Sequence, residues 1–337
     1  MRIVTTLPAA TETVAALGID PVGVSHECDY PPGVESVPSV TRSRIDTTAP
    51  SGEIDQQVLD TASEGGIYEV DTETLEELDP ELIVTQEMCD VCAVDEVVVA
   101  DAIAEINEAR DTAGGRTQSD EVDPEILTTN PHSVGDVLSD LERLGRTIGR
   151  DDRARAVRDE LETRIEAVQE QTTDLEAGDR PRVAIFDWTD PVMIAGHWTA
   201  ELVDWAGGEY GLAGVGDRSR PREWDEIRDY DPDIVIVAPC GFGLDQTAAN
   251  RSDLTDRGGW EALTAVQTDR VWALDGDHFL NRPGPRLVDT LEAIAGIVHP
   301  DRFDRPERDV AVPFAELDAF ETPSAEPESG TPVDSNP

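Results

Sequence analysis

Short apolar runs alternate with amphipathic stretches along the first 130 residues of the chain. The runs are rich in β-branched residues and have the length of buried parallel strands, whereas the stretches between them repeat apolar positions at helical spacing. The pattern predicts strands at residues 3–7, 22–25, 67–70, 82–86 and 126–129, and helices at 9–17, 53–63, 72–78 and 95–110. Such alternation is typical of a parallel sheet flanked by helices.

A long charged stretch separates this region from a second α/β region. Residues 133–148 are amphipathic, and residues 151–175 carry Arg and Glu at helical spacing, which predicts a long helix. We interpret it as a strut between two halves, although an ordinary surface helix fits the pattern almost as well. Beyond it, strands are predicted at 182–188, 234–238 and 271–274, and helices at 198–206 and 286–298.

The predicted organisation follows from these elements. It comprises an N-terminal α/β lobe at residues 1–132, connecting helices at 133–180, a C-terminal α/β lobe at 181–300 and a tail at 301–337. The tail is predicted to be largely disordered because the pattern decays there and the sequence becomes acidic and Pro-rich.

All four cysteines follow the carboxyl end of a predicted strand; they are Cys28, Cys89, Cys92 and Cys240. In open α/β sheets that edge borders the crevice in which ligands bind. Four thiolates could hold Zn²⁺ or an iron–sulfur cluster, and Cys89 with Cys92 could form a redox pair. Each cysteine could equally be a small buried apolar residue.

The same loops collect histidines, aromatic residues and an arginine. The candidate ligand-binding residues are His26, Tyr30, Gln86, Trp188, His197, Trp198, Phe242, His278, Phe279 and Arg282. Aromatic rings at such an edge can stack on a flat ligand. Arg282 and Arg286 could clamp carboxylate or phosphate groups, and solvation at the surface is an equally good interpretation of them.

The charge balance is strongly acidic, with 73 Asp and Glu against 26 basic residues, all of them arginine, for a formal net charge of −47. The aliphatic strands remain intact, which is unlike a disordered acidic protein. We hypothesise a folded protein of a salt-accumulating organism, whose surface repulsion is screened by concentrated salt. A field of this sign makes nucleic acid an improbable partner.

The opening residues lack the apolar core of a signal peptide, and no apolar run reaches the length of a membrane span. A cytoplasmic location is therefore expected, or the cell surface if a leader has been removed. In a reducing compartment, cysteines favour metal binding or redox chemistry over structural disulfides.

Several segments resemble the cobalamin-binding proteins of ABC importers, within the wider family that binds ferric siderophores and cobalamin. They are residues 7–12, 16–25, 29–32, 79–84, 231–235 and 285–286, the last pair preceding the closing helix. The resemblance spans about residues 2–299. It implies an α/β fold of two Rossmann-like lobes joined by a single long helix, the helical-backbone form of periplasmic binding proteins, with the ligand held between the lobes.

The resemblance also implies a partner and a ligand class. An acidic residue on each lobe of such proteins pairs with arginines of the membrane permease; the matching positions are Glu96 or the preceding Asp95, and Asp225 or the following Glu226. Aromatic residues near Tyr30, Trp188 and Phe279 would face a corrin ring. The cysteines and residues 196–198 depart from the importer pattern and resemble a leaderless subgroup.

Two hypotheses follow. The first is a non-catalytic, monomeric binding protein that takes a cobalamin-like ligand or another metal chelate. The alternative is a cytosolic metal, iron–sulfur or thiol enzyme on the same scaffold, with the four cysteines as ligands and His26 or His197 as ligand or general acid. A third possibility is an intracellular carrier that delivers a corrinoid to an enzyme.

Overall fold

The computed structural model describes residues 1–61, 66–88, 94, 96–112 and 123–320, and it contains two α/β lobes joined by helices. The elements of the N-terminal lobe are β1 (Ile3–Thr5), α1 (Pro8–Ala16), β2 (Thr41–Ser43), α2 (Ser51–Thr61), β3 (Tyr68–Val70), α3 (Thr72–Leu78), β4 (Leu82–Gln86), α4 (Glu96–Thr112) and β5 (Glu125–Thr129). The helices α5 (Val134–Thr147) and α6 (Asp151–Thr172) follow. The predicted fold class is confirmed.

The C-terminal lobe begins at β6. Its elements are β6 (Val183–Thr189), β7 (Val192–Ile194), α7 (Thr199–Trp205), β8 (Arg220–Pro221), α8 (Trp224–Tyr230), β9 (Ile234–Val237), α9 (Leu244–Ala249), α10 (Ser252–Thr255), α11 (Thr264–Gln267), β10 (Val271–Leu274), α12 (Leu287–Val298) and β11 (Ala311–Pro313). A π-helical turn, Gly276–Leu280, follows β10, and a 3-10 helix, Phe314–Phe320, follows β11.

The main sheet of each lobe is built around parallel strands. In the N-terminal lobe the order is β1-β4-β5, all parallel, and every residue of β4 is buried. In the C-terminal lobe the order is β11-β10-β9-β6-β7-β8, with β10, β9 and β6 parallel. The predicted strand at 22–25 makes only isolated parallel bridges, Val4 with Gly23 and Val24 with Ser39.

Helix α6 connects the lobes and is packed along its length. Its buried residues recur every three to four positions; they are Ala154, Val157, Leu161, Ile165, Val168 and Thr172. With 22 residues it is about 33 Å long, at 1.5 Å per residue. Residues of α6 share one apolar core with Ile3 of β1 and Ile185 of β6, so this core runs through both lobes.

The prediction of a disordered tail from residue 301 is wrong for residues 301–320. Strand β11 pairs antiparallel with β10, with Leu274 opposite Ala311, and Leu317 in the helix that follows is fully buried. Three residues are too few to show a strand period, and the pairing with β10 supplies the missing order. Within the ranges that the structure describes, no helix combines the length and apolar character needed to cross a bilayer.

Candidate functional site

The two lobes meet along a band of charged and aromatic side chains, which we name the interlobe seam. It comprises Glu12, Asp29 and Tyr30 of the N-terminal lobe with Asp277, His278, Phe279, Arg282 and Arg286 of the C-terminal lobe. Helix α1 follows β1, and the π-helical turn follows β10. The seam therefore lies at the edge where parallel strands end, as predicted from the sequence.

Arg282 is the centre of the seam and is only 5% exposed. Its Nη1 lies 3.4 Å from Glu12 Oε1 and also contacts Asp29, and its Nη2 lies 3.3 Å from Asp277 Oδ1. Burial alone would lower the pKa of Arg282, but Asp277, Asp29 and Glu12 outweigh it and raise the pKa. The predicted clamp for a ligand anion is thus engaged by carboxylates of both lobes in this conformation.

Glu12 is a buried carboxylate that the sequence interpretation did not identify as a site residue. Its side chain is 1% exposed, and Oε1 lies 3.3 Å from Arg286 Nη1. Burial raises its pKa to about 7, although Arg286 and Arg282 oppose the shift. Its other oxygen, Oε2, is buried and has no hydrogen-bond partner among the residues that the structure describes. The available signal was one acidic residue in an otherwise uncharged helix, α1.

His278 links its own turn to a loop of the opposite lobe. Its Nδ1 lies 2.7 Å from Asp275 Oδ2, and its Nε2 lies 3.1 Å from Asp29 Oδ2 across the lobe boundary. The hydrogen bond to Asp275 is the main cause that raises the pKa of His278, against the opposing effect of burial. Protonated His278 therefore attracts carboxylates from both lobes.

Arg286 lies between two aromatic rings that belong to different lobes. Its guanidinium carbon is 4.7 Å from the centre of the Tyr30 ring and 4.6 Å from that of Phe279. Its Nη2 also donates to the His278 carbonyl at 2.9 Å. Rings that contact a flat cation can also stack on a flat ligand group, so we name Tyr30, Phe279 and the guanidinium of Arg286 the aromatic slot.

Trp188 lies near the end of β6, and Cys240 and Phe242 lie on the loop after β9, which is hydrogen-bonded to the π-helical turn. The Trp188 and Phe242 rings are 5.0 Å apart, and the Phe242 carbonyl accepts from the backbone N–H of Gly276 at 3.1 Å. Phe242 is nearly fully buried. Phe242 thus contacts both Trp188 and the π-helical turn, and Trp188 is the more accessible of the two rings.

A second contact joins the lobes away from the aromatic slot. The backbone N–H of Ser51, at the start of α2, donates to Asn250 Oδ1 at 3.0 Å, and its hydroxyl bonds to Asp253. The Gln246 amide donates to the Thr47 carbonyl at 2.6 Å. The lobes therefore also touch outside the seam in this conformation.

Trp198 does not occupy the position predicted for it. It is 3% exposed, lies in the core that runs through both lobes, and donates from Nε1 to the Leu280 carbonyl at 2.9 Å. Gln86 is likewise buried, and its Oε1 accepts from the backbone N–H of Met88. Both are placed as core side chains rather than as side chains that contact a ligand, because the strand-edge rule fixes a position but not where a side chain points.

The remaining two histidines of the prediction are separated from the slot. The side chain of His26 is half-buried and bonds through Nδ1 to Thr41 Oγ1 at 2.7 Å. His197 pairs with His132, Nδ1 to Nδ1 at 3.2 Å, where β5 and β7 lead into the next helices.

The structure describes two of the four cysteines of the predicted metal site. Cys28 is buried against Thr11 Oγ1, 3.1 Å from Sγ, and burial raises its pKa to about 11. Cys240 is half-buried, and Cys89 and Cys92 lie outside the described residues. Within the described part of the chain, no group of three or more His, Cys, Asp or Glu is arranged to hold a metal ion. The four-cysteine site stays a prediction.

The two positions matched to permease docking lie on helix starts. Glu96 is in the first turn of α4 and accepts from Thr128 Oγ1 at 2.7 Å. Asp225 is in the first turn of α8, and its side chain is 84% exposed despite a pairing with Arg228. Both are exposed, one on each lobe, as docking requires.

A polar cavity of about 360 Å³ lies outside the seam. It is lined by Glu87, Thr128, Asn130, Asp136, Ser139, Asp140 and Arg143. These residues belong to the N-terminal lobe and α5, and none of them is aromatic. The cavity therefore offers no stacking surface for a flat ligand.

The chain was compared with known proteins. Residues 3–278 match the family model described as periplasmic binding protein. An uncharacterized ABC transporter substrate-binding lipoprotein of Bacillus subtilis, YvrC, is 23% identical over 310 residues, which cover 90% of this chain and 81% of that protein. The vitamin B12-binding protein of Vibrio cholerae is 31% identical over 103 residues, 30% of this chain and 34% of that protein.

Solved structures share the fold at low sequence identity. A periplasmic heme-binding protein of Pseudomonas aeruginosa has a TM-score of 0.65 at 18% identity and covers 89% of this chain and 93% of its own. The periplasmic vitamin B12-binding protein BtuF of Vibrio cholerae has a TM-score of 0.57 at 20% identity, with 89% and 96% covered.

These findings correct one prediction and confirm another. The expected cytoplasmic location is wrong, because the family model is that of a periplasmic binding protein and the Bacillus subtilis relative is a lipoprotein, so the family points to the periplasm or the cell surface. The predicted resemblance is confirmed, since the family model covers most of the chain. The protein belongs to the periplasmic binding protein family, as a substrate-binding protein of the ABC importer type.

Proposed function

We propose that the protein binds a flat metal chelate, a corrinoid or a haem-like tetrapyrrole, in the aromatic slot of the interlobe seam and delivers it to a permease. The names of the relatives support this ligand class, since they include vitamin B12-binding and heme-binding proteins. A location outside the cytoplasmic membrane, which the family indicates, agrees with this role. Glu96 and Asp225 are the proposed contacts with the permease.

The observation that carries the proposal is the position of Arg286 between Tyr30 and Phe279. The two rings come from opposite lobes and both face one planar group. Aromatic faces stack on planar π-systems as readily as on a guanidinium. A macrocycle that enters between the lobes would take the place of Arg286 and stack on one or both rings.

Entry of a macrocycle requires the seam to open. Arg282 must leave Glu12 or Asp29, and Arg286 must swing away from Tyr30, after which both guanidiniums are available for carboxylate or amide groups at the ligand's rim. The packed strut α6 limits the motion of the lobes to small rotations, because a continuous core runs along it. We therefore expect a small opening rather than a wide hinge movement.

The experiment is a titration with cyanocobalamin and with haem, followed by tryptophan fluorescence and by the absorbance of the ligand. Tyr30→Leu and Phe279→Leu each remove one ring, and we expect each to weaken binding about tenfold, the value of one lost stack of ~1.4 kcal/mol. Tyr30→Phe keeps the ring and is the matched control, which should bind as the wild type does. Absence of binding to both ligands, or equal affinity in all variants, would refute the proposal.

The enzyme alternative finds no support in the relatives, which are described as binding proteins. Cys28 also speaks against a thiolate mechanism, because a thiol whose pKa is raised to about 11 is protonated at neutral pH. His26, the proposed general acid, bonds to Thr41 and has its pKa lowered by burial.

A further inference from the structure

We propose that His132 and His197 form a two-histidine binding site for a divalent transition metal ion of the Zn²⁺ type, at the junction of the two lobes. His132 follows β5 of the N-terminal lobe, and His197 precedes α7 of the C-terminal lobe. A metal ion bound by both would link the lobes directly. The site shares no residue with the interlobe seam and goes beyond the proposed function.

The geometry of the pair matches a metal chelate. The two Nδ1 atoms are 3.2 Å apart, and the rings are stacked with their centres 5.3 Å apart and their planes inclined by 26°. Zinc binds imidazole nitrogen at about 2.0–2.1 Å, so two nitrogens on one tetrahedral ion lie roughly 3.3–3.4 Å apart. A small separation and a turn of the rings, which points both Nδ1 lone pairs at one position, would admit the ion.

The protonation state of the pair also suits a metal ion. Two imidazole nitrogens can share a hydrogen bond only if one of them carries no proton, so at least one ring is neutral. Neutral imidazole is the form that binds metal ions.

The backbone holds His197 in place at a conformational cost. Its φ is 54°, in the left-handed region that residues other than glycine rarely adopt. The N–H of His197 donates to the Asp217 carbonyl, and the His197 carbonyl accepts from Gly216 at 3.0 Å. Strain of this kind persists where surrounding structure enforces it and is concentrated at binding sites.

The surrounding charges favour a cation on balance. The Asp136 carboxylate interacts with His132, and the Glu201 carboxylate accepts from the backbone N–H of Val134 at 2.8 Å. Arg218 is the opposing charge near His197. No third protein ligand completes a cluster in the described residues, so water or an added ligand group would fill the remaining positions.

The experiment is a calorimetric titration of chelator-treated, thiol-reduced protein with ZnCl₂. We expect His132→Gln and His197→Gln each to bind one equivalent of zinc fewer than the wild type, or to bind that equivalent at least about tenfold more weakly. The double variant should lose no more than either single variant, because both residues serve one ion. Asp152→Asn, which changes an exposed carboxylate on α6, is the control and should keep the wild-type stoichiometry, even if the cysteines bind further zinc.

A second measurement does not depend on the variants being folded. In ¹⁵N spectra of the histidine rings of the wild-type protein, zinc should move the Nδ1 resonances of His132 and His197 together to the metal-bound position. Zinc binding that leaves both resonances unchanged would overturn the proposal. So would single variants that bind zinc with wild-type stoichiometry and affinity. Neither outcome bears on cobalamin or haem binding, which is tested with a separate ligand.

Discussion

The guanidinium of Arg282 lies 3.4 Å from the carboxylate of Glu12, and this contact joins the two lobes at a place that solvent barely reaches. The two residues are 270 positions apart in the chain. Each would be costly to bury alone, and each makes the burial of the other tolerable. The contact therefore ties the closed arrangement of the lobes to the ionisation of one carboxyl group.

Arg282→Met should destabilise the protein strongly at about pH 8. The change keeps most of the side-chain volume but leaves the Glu12 carboxylate with Arg286 as its remaining cation, and breaking a buried pair costs about 3–5 kcal/mol. The loss should shrink at about pH 5, where Glu12 is protonated. Urea unfolding at both values measures it.

The matched control is Arg155→Met on the strut, whose pairing with Asp152 is exposed. It should change the free energy of unfolding by at most about 0.5 kcal/mol at either pH. An equal effect of the two substitutions would contradict the importance assigned to the buried pair.

Glu12→Gln should remove part of the pH dependence of stability. Burial raises the pKa of Glu12 from 4.5 to about 7. The folded protein thus holds this proton more tightly than the unfolded chain, so the contribution is complete below pH 4.5 and is lost as the pH rises through 7. At ~1.4 kcal/mol per pKa unit the loss is about 3 kcal/mol. A plot of the free energy of unfolding against pH should be steeper over this range for the wild type than for Glu12→Gln.

His278 provides an internal check on that experiment. Its pKa is raised above 6.5, so its contribution is present below 6.5 and is lost as the pH rises through the folded-state pKa. The part of the pH dependence of the free energy of unfolding that is due to His278 should remain in Glu12→Gln and vanish in His278→Gln. If both variants retain the full wild-type slope, the seam does not control the pH dependence.

Salt should stabilise the protein. A formal charge of −47 on 337 residues produces strong self-repulsion, and the screening length falls from ~10 Å at 0.1 M salt to ~3 Å at 1 M. We expect the melting temperature to rise steadily with KCl across this range. An equal osmolality of sucrose is the control, because it acts by exclusion without screening. Greater stability at low salt would reject the halophile hypothesis.

Reversal of both docking charges should separate binding from delivery. Glu96→Arg with Asp225→Arg should leave ligand affinity unchanged, because both residues are exposed on helix starts away from the seam. Uptake of the ligand through the cognate permease should fall at least tenfold. Asp152→Arg, an exposed charge reversal on the strut, is the control and should not affect uptake.

The fold could be predicted from the chain because its signals are local. The apolar run of β4 and the charged helical spacing of α6 appear at nearly the predicted positions. Strand β11 could not be predicted, since its three residues take their conformation from the pairing with β10.

The site was predictable only as a region. Tyr30, His278, Phe279 and Arg282 lie together in the seam, because rare residue types at strand ends carry information about position; that they bind a ligand stays a prediction. Glu12 was missed because one carboxylate among 73 acidic residues is inconspicuous, and its burial depends on the opposite lobe. Trp198 shows the converse, since its loop is at the expected edge while its indole packs in the core.

The apolar face of α6 belongs to both lobes at once, because its buried residues lie in a core that also contains Ile3 and Ile185. Neither half is therefore a modular part. A chimaera that joins one lobe to the corresponding half of a relative would have to match this shared face residue for residue. Heating should accordingly give one calorimetric peak for the whole molecule, because both lobes unfold together.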